Sequence, residues 1–229
     1  MKVRELLTEW SEIPKDIFKH LKNKGYKLLG KGADQAAFLE PSTGKVLKIF
    51  GSKLYVKTRY FTSPPQSEYT SSQKMFKFWV EYCEKNRGNP FLPRYDGWER
   101  FVLNDTWYFQ IRMEYLKNLP LGLAQALHEW AAFIDRKPDD QRINDILDNL
   151  QDLNDETNKI GQFLTDAEVR ETEKLMILLG QKQFKLLMST IADLSKIAKS
   201  KGYQFDLHGA NFMHRNDGIP VIVDPWVVG

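Results

Sequence analysis

Hydrophobic period divides this 229-residue chain into a strand-rich first half and a helix-rich second half. Strand side chains alternate between two faces, whereas a helix returns to one face about every 3.6 residues, so the two halves call for different backbones. The expected class is α+β, a sheet with one helix followed by a helical region. No internal repeat or low-complexity tract interrupts this division.

In the first half, residues 26–50, YKLLGKGADQAAFLEPSTGKVLKIF, predict two strands joined at Pro41-Ser42-Thr43-Gly44, a turn composition. A helix is expected over 67–85, with Glu68 at its start and Ser72, Met75, Trp79 and Tyr82 on one face. Two more strands are read around Tyr95-Asp96-Gly97-Trp98 and over 107–113, joined through the turn pair Asn104-Asp105. Beyond Leu116 the character changes. An amphipathic helix is predicted over 123–134, closed near Pro138, and residues 139–165 are the most polar stretch. Thr165-Asp166-Ala167-Glu168 has capping-box spacing and predicts a helix start. Phe184, Leu187, Ile191, Leu194 and Ala198 are spaced as the core face of a second helix that stops at Lys201-Gly202. The organisation expected is an N-terminal lobe over 1–116 and a helical C-terminal lobe over 117–229.

Charge and cysteine content narrow the setting. With 33 basic against 30 acidic side chains the net charge is +3, too balanced to call for a nucleic-acid or membrane partner. The lone Cys83 allows neither an internal disulfide nor a zinc cluster, which suits a reducing cytoplasm. The N-terminus mixes charged and apolar residues unlike a signal peptide, and no apolar run reaches membrane-spanning length. A cytoplasmic protein is expected. The aromatic helix carrying Phe76, Phe78 and Trp79 is read as core.

Four features carry chemistry. Lys48, in Val46-Leu47-Lys48-Ile49-Phe50, shares a strand face with Val46 and Phe50. It is either an edge-strand lysine turned to solvent or a buried ammonium that needs an anion, for which Glu68 is the candidate. Gly30-Lys31-Gly32 permits close backbone approach to an anion, although such a pair is more often only a turn. At the end of the chain, Asp206 and Asn211 stand in FDLHGANFM, and Asp224 closes a Val-Ile-Val run before Pro225. Arg215-Asn216-Asp217-Gly218 between them is a hairpin-type turn, expected to bring Asn211 and Asp224 together as hard oxygen ligands suited to Mg²⁺. Read separately, Asp206 would cap a turn and Asp224 would merely stop a strand.

In order and spacing these features resemble the protein-kinase-like superfamily. GKGADQAAF with VLKIF is similar to its glycine-rich loop and strand lysine, FDLHGANFM to its catalytic loop, and VIVDP to its metal-binding aspartate. The Asp-Leu-His-x-x-Asn form resembles aminoglycoside-phosphotransferase-type kinases, and most closely the small kinases encoded by tailed bacteriophages. The resemblance is loose over 26–116, firmer over 184–226, and does not extend to 117–183. It implies a bilobal kinase-like fold with a truncated or rearranged helical C-terminal lobe. It also implies an ATP- and Mg²⁺-dependent phosphotransferase, foremost a serine/threonine protein kinase acting on a host protein in the host cytoplasm. Gly30, Gly32, Lys48 and Glu68 would bind nucleotide, and Met113, Glu114, Tyr115 and Leu116 would form a hinge meeting adenine. Lys48 and Asp206 would be catalytic, and Asn211 and Asp224 would hold Mg²⁺.

Departures from the pattern shape further expectations. Gln35 replaces a third glycine and Ala37 an expected valine, so the loop should hold phosphate less closely. Pro225 biases Asp224 toward an extended, permanently inward conformation. Three residues follow Trp226, where protein kinases continue into a peptide platform; helices within 123–200 are expected to replace part of it. That departure keeps two alternatives open, a kinase-like protein that acts by binding a partner and a small-molecule kinase.

Overall fold

The computed structural model describes residues 15–31, 35–50, 71–103, 106–136 and 164–228. They belong to two compact units, one of residues 1–88 with 93–115 and the other of residues 89–92 with 116–229. The fold is mixed, with an antiparallel sheet and five helices among the described residues.

The first unit contains helix α1 (Lys15–Asn23), strands β1 (Lys27–Lys31), β2 (Gln35–Glu40) and β3 (Lys45–Phe50), helix α2 (Ser71–Lys85), and strands β4 (Tyr95–Leu103) and β5 (Thr106–Met113). The sheet runs β1-β2-β3-β5-β4, antiparallel throughout. Residues 26–50 thus form three strands rather than the two expected. β1 runs to Lys31 and the chain returns as β2, antiparallel to it, with a register shift between Leu28 and Gly30. At the β2–β3 turn Gly44 adopts φ 67° and donates its N–H to Glu40 O at 2.9 Å, a conformation that disfavours any side chain with a Cβ.

Strand alternation gives the sheet two buried faces. Ala36, Phe38, Leu47, Ile49 and Tyr108 pack with Ile17 and Leu21 of α1, a helix unforeseen in the sequence although Ile17 and Leu21 have helical spacing. On the opposite face Phe50 meets Phe76 of α2 at 4.4 Å between ring centroids and Phe109 at 5.7 Å. The buried side of α2 is Gln73, Phe76, Trp79, Val80 and Cys83. The expected face of Ser72, Met75, Trp79 and Tyr82 is therefore displaced around the helix and retains only Trp79. The cause is the seat that Phe50 and Tyr95 provide for Phe76.

In the second unit, α3 (Leu121–Arg136), α4 (Asp166–Leu179) and α5 (Gln181–Lys201) pack around Trp130, fully buried and edge-on to Phe184 at 5.9 Å. Its indole N–H donates to Thr172 Oγ1 at 3.2 Å, satisfying the one polar group such a core would otherwise strand. The capping box forms as expected, with Thr165 and Glu168 reciprocally bonded. All five residues expected as the core of α5 are buried, and Gly202 ends that helix in the left-handed region. Two small antiparallel sheets complete the unit: β7 (Tyr203–Phe205) with β10 (Trp226–Val228), and β6 (Lys117–Asn118) with β8 (Phe212–His214) and β9 (Pro220–Ile222). Residues 104–105 and 137–163, with the expected Asn104-Asp105 turn and Pro138 stop, lie outside the described residues. Among those described, no helix is long and apolar enough to cross a membrane.

One polar network ties strands of the first sheet together. Tyr26 and Thr43 both donate to Glu40, and the Arg112 guanidinium stands 3.7 Å from Glu40 and 3.3 Å from Glu99. Hydrogen bonds from Thr43 and then Tyr26 hold the Glu40 carboxyl below the usual glutamate range, aided by the Arg112 charge. A depressed carboxylate contributes stability that is present above its unfolded pKa and is lost as pH falls through its folded value. Glu40→Gln should therefore cost about 0.5–1 kcal/mol at pH 7, and the deficit should shrink as the pH drops below about 4 in urea unfolding followed by circular dichroism.

Candidate functional site

Lys48 sits in β3, the central strand of its sheet, paired across from Ala37 and Ile111. The edge-strand reading therefore does not hold. Its side chain lies on the Val46 and Phe50 face, as alternation requires, and its ammonium stands 5.4 Å from the centroid of Phe76. Glu68, the anion expected to accompany it, lies outside the described residues, as does Gly32.

Gly30 lies in β1, exposed, with open space where a Cβ would stand. Neither its backbone angle nor its neighbours require glycine. Met113 and Tyr115 belong to the first unit and Leu116 to the second. Glu114 is held by a reciprocal pair: its N–H donates to Arg94 O at 3.0 Å, and its Oε1 accepts from Arg94 N at 2.9 Å.

The terminal residues of the second unit are brought together. Asp206 N–H donates to Pro225 O at 2.9 Å, and Val223 N–H donates to Asn211 O at 2.9 Å. Asp224 is thus bracketed, since the residue on each side of it is bonded to one of the other two. The β7/β10 register, which sets Phe205 opposite Trp226, and the β8/β9 register, which sets Phe212 opposite Ile222, extend these bonds in both directions. Between β8 and β9 the expected turn forms, with Gly218 at φ 84° and its N–H on Arg215 O.

Asn211 is buried, and its Nδ2 donates to Asp206 O at 2.5 Å. Because a carbonyl can only accept, that bond assigns the nitrogen end of the amide and gives the other position to Oδ1. The Asp224 Oδ1 atom is also shielded from solvent. The separate readings of Asp206 as a turn cap and Asp224 as a strand stop therefore miss how the three residues are joined.

Three further groups of residues, silent in the sequence, build this site. His128 of α3 bonds through Nδ1 to Leu207 O at 3.0 Å, so that nitrogen carries the proton. Arg215 donates to the carbonyls of Pro90 and Leu92, and Ile222 N–H donates to Phe91 O at 2.9 Å. Asn89 adds a 2.8 Å bond to Thr190 of α5. These bonds seat residues 89–92 within the second unit. Trp226 closes the end through its indole N–H on Leu194 O at 3.0 Å. No spacing rule could have found these partners, because each joins residues far apart in the chain.

A carboxylate and an amide oxygen are hard donors of the kind Mg²⁺ takes. Among the described residues no group of three or more His, Cys, Asp or Glu is gathered to hold a metal. A cation at Asn211 and Asp224 would thus complete its shell with water and ligand oxygens, the habit of Mg²⁺ with phosphates.

The Asn211 amide has a structural role that can be measured without any ligand. Asn211→Ala removes the donor to Asp206 O and should cost about 1–3 kcal/mol in denaturant unfolding, whereas Asn211→Asp, which cannot donate when ionised, should cost at least as much. No protein-family model matches this chain, and no curated protein matches it.

Proposed function

We propose that this chain is an ATP- and Mg²⁺-dependent phosphotransferase of kinase-like bilobal architecture, acting on an alcohol group and foremost on serine or threonine of a protein. The observation that carries the reading is the joining of Asp206, Asn211 and Asp224 by backbone bonds on both sides of Asp224. A turn cap and a strand stop have no need of a third polar residue buried between them.

ATP supplies the phosphoryl group when bound, and Mg²⁺ offsets the charge on it. Asn211 Oδ1 and the Asp224 carboxylate hold the cation. Asp206, with its backbone bonded on both its N–H and C=O sides, presents a carboxylate that orients the acceptor hydroxyl and takes its proton. Lys48 meets the nucleotide phosphates, and its central strand position restricts where the ammonium can go. Glu68 is its partner in this reading, and Gly30, exposed in β1 with open space around it, and Gly32 leave room for the phosphates to approach. Met113, Glu114, Tyr115 and Leu116 form the hinge that meets adenine, with the Glu114 N–H given to Arg94 O. No covalent intermediate is needed, because positioning and electrostatics account for the acceleration. The host-protein substrate and the host cytoplasm belong to the same proposal.

The test has two stages. ATP with Mg²⁺ should raise the melting temperature, since a ligand bound only by the folded state stabilises it. With labelled ATP and a cell extract, label should appear on protein bands, and Asp206→Ala should reduce it about 10²–10⁴-fold while keeping the thermal shift. Label confined to small solutes would move the acceptor to a small molecule. A shift without any transfer would leave a nucleotide-binding partner protein, and no shift at all would end the phosphotransferase reading.

A further inference from the structure

We infer that His208 is a positioning residue for Asp206, with its two ring nitrogens assigned different tasks. This inference rests on the phosphotransferase reading and adds a residue to it. His208 stands at the head of a single 3₁₀ turn, Gly209–Asn211, with extended backbone of its own. Its Nδ1 accepts the Ala210 N–H at 3.2 Å, the side-chain-to-backbone bond that starts such a turn. A nitrogen that accepts cannot carry the hydrogen, so in the neutral ring the hydrogen is on Nε2. That Nε2 faces Asp206 Oδ2 at 3.8 Å.

The turn therefore selects the tautomer, and the tautomer points an N–H at the carboxylate. At 3.8 Å the two are not yet hydrogen-bonded, and both side chains are partly open to solvent. Contacts of this kind commonly tighten once a reactant is bound. The same turn is held from behind. Leu207 O is tied to His128, and a Cβ on Gly209 would stand 3.4 Å from Ala124 Cβ, so α3 lies directly against the loop. With the loop seated, a small side-chain rotation of Asp206 is enough to reach Nε2–H. One of the carboxylate oxygens is then held by His208, and the other is turned to the acceptor hydroxyl.

Two substitutions separate the tasks, because asparagine places an amide near the Nδ1 position and glutamine near the Nε2 position. His208→Asn keeps an acceptor for Ala210 N–H and loses the donor to Asp206. It should keep the wild-type melting temperature and KM for ATP while lowering kcat about ten- to a hundredfold in a labelled-ATP turnover assay with Mg²⁺. His208→Gln keeps the donor and loses the turn acceptor. It should melt about 2–4 °C lower yet recover most of the turnover that His208→Asn loses.

The opposite pattern, normal turnover in His208→Asn and a loss in His208→Gln, would show a merely structural residue and overturn the inference. A readout free of nucleotide stands beside it. Nitrogen-15 shifts of the His208 ring should report the Nε2–H tautomer and should move in Asp206→Ala, and an Nδ1–H tautomer would overturn the inference even if turnover is normal. Absence of ATP turnover in the wild type with the Nε2–H tautomer present would instead bring down the phosphotransferase reading, and the positioning role with it.

Discussion

Two backbone hydrogen bonds, from Asp206 to Pro225 and from Val223 to Asn211, hold together the polar residues at the end of the second unit. Neither belongs to a long ladder. They join two irregular stretches and give partners to backbone groups, the Val223 amide among them at a buried position; leaving such a group unpaired costs about 1–3 kcal/mol. Around them the chain makes short strands, β7 with β10 and β8 with β9, each too brief to be stable alone. The helices provide the remaining support: α5 accepts the Trp226 indole, and α3 holds the Leu207 carbonyl through His128. The polar residues are placed by this frame and do not place themselves.

The first unit answers a different constraint. A central strand whose residues alternate between two apolar faces must be covered on both, and α1 and α2 do so with Ile17 and Leu21 on one side and Phe76 on the other. Lys48 is the exception on the Val46 and Phe50 face of that strand, a cation lying over the Phe76 ring. In the proposed function, nucleotide phosphates use its charge. Glu114 shows the same economy in the opposite sense, its backbone N–H and its carboxylate both given to Arg94, which fixes the start of β4 against the end of β5.

Much of the fold was legible because the signals are local. The Thr165 capping box, the Gly202 stop, the core spacing of α5 and the Arg215-Asn216-Asp217-Gly218 turn each involve residues within a turn or two of one another, and each formed as read. Where the reading failed, a distant partner had decided. The buried face of α2 was displaced because Phe50 and Tyr95 offered Phe76 a seat, and α1 escaped notice because its short apolar stripe gains meaning only against the sheet. The β1–β2 reversal is a subtler failure, since a glycine-rich stretch reads equally well as a loop or as a pause in one strand.

The site divides along the same line. The sequence by itself determined which side chains could do chemistry, Lys48, Asp206, Asn211 and Asp224, and that a hairpin returns the last toward the third, because residue type and turn composition are local properties. Only the tertiary structure decided that Asn211 spends its amide nitrogen on Asp206, and that Asp224 is pinned on both sides. It alone assigned His208 a tautomer and brought His128, Arg215 and residues 89–92 to the frame. Those are choices of hydrogen-bond partner across long stretches of chain, and a donor's partner is known only once folding has brought every candidate acceptor within about 3 Å of it.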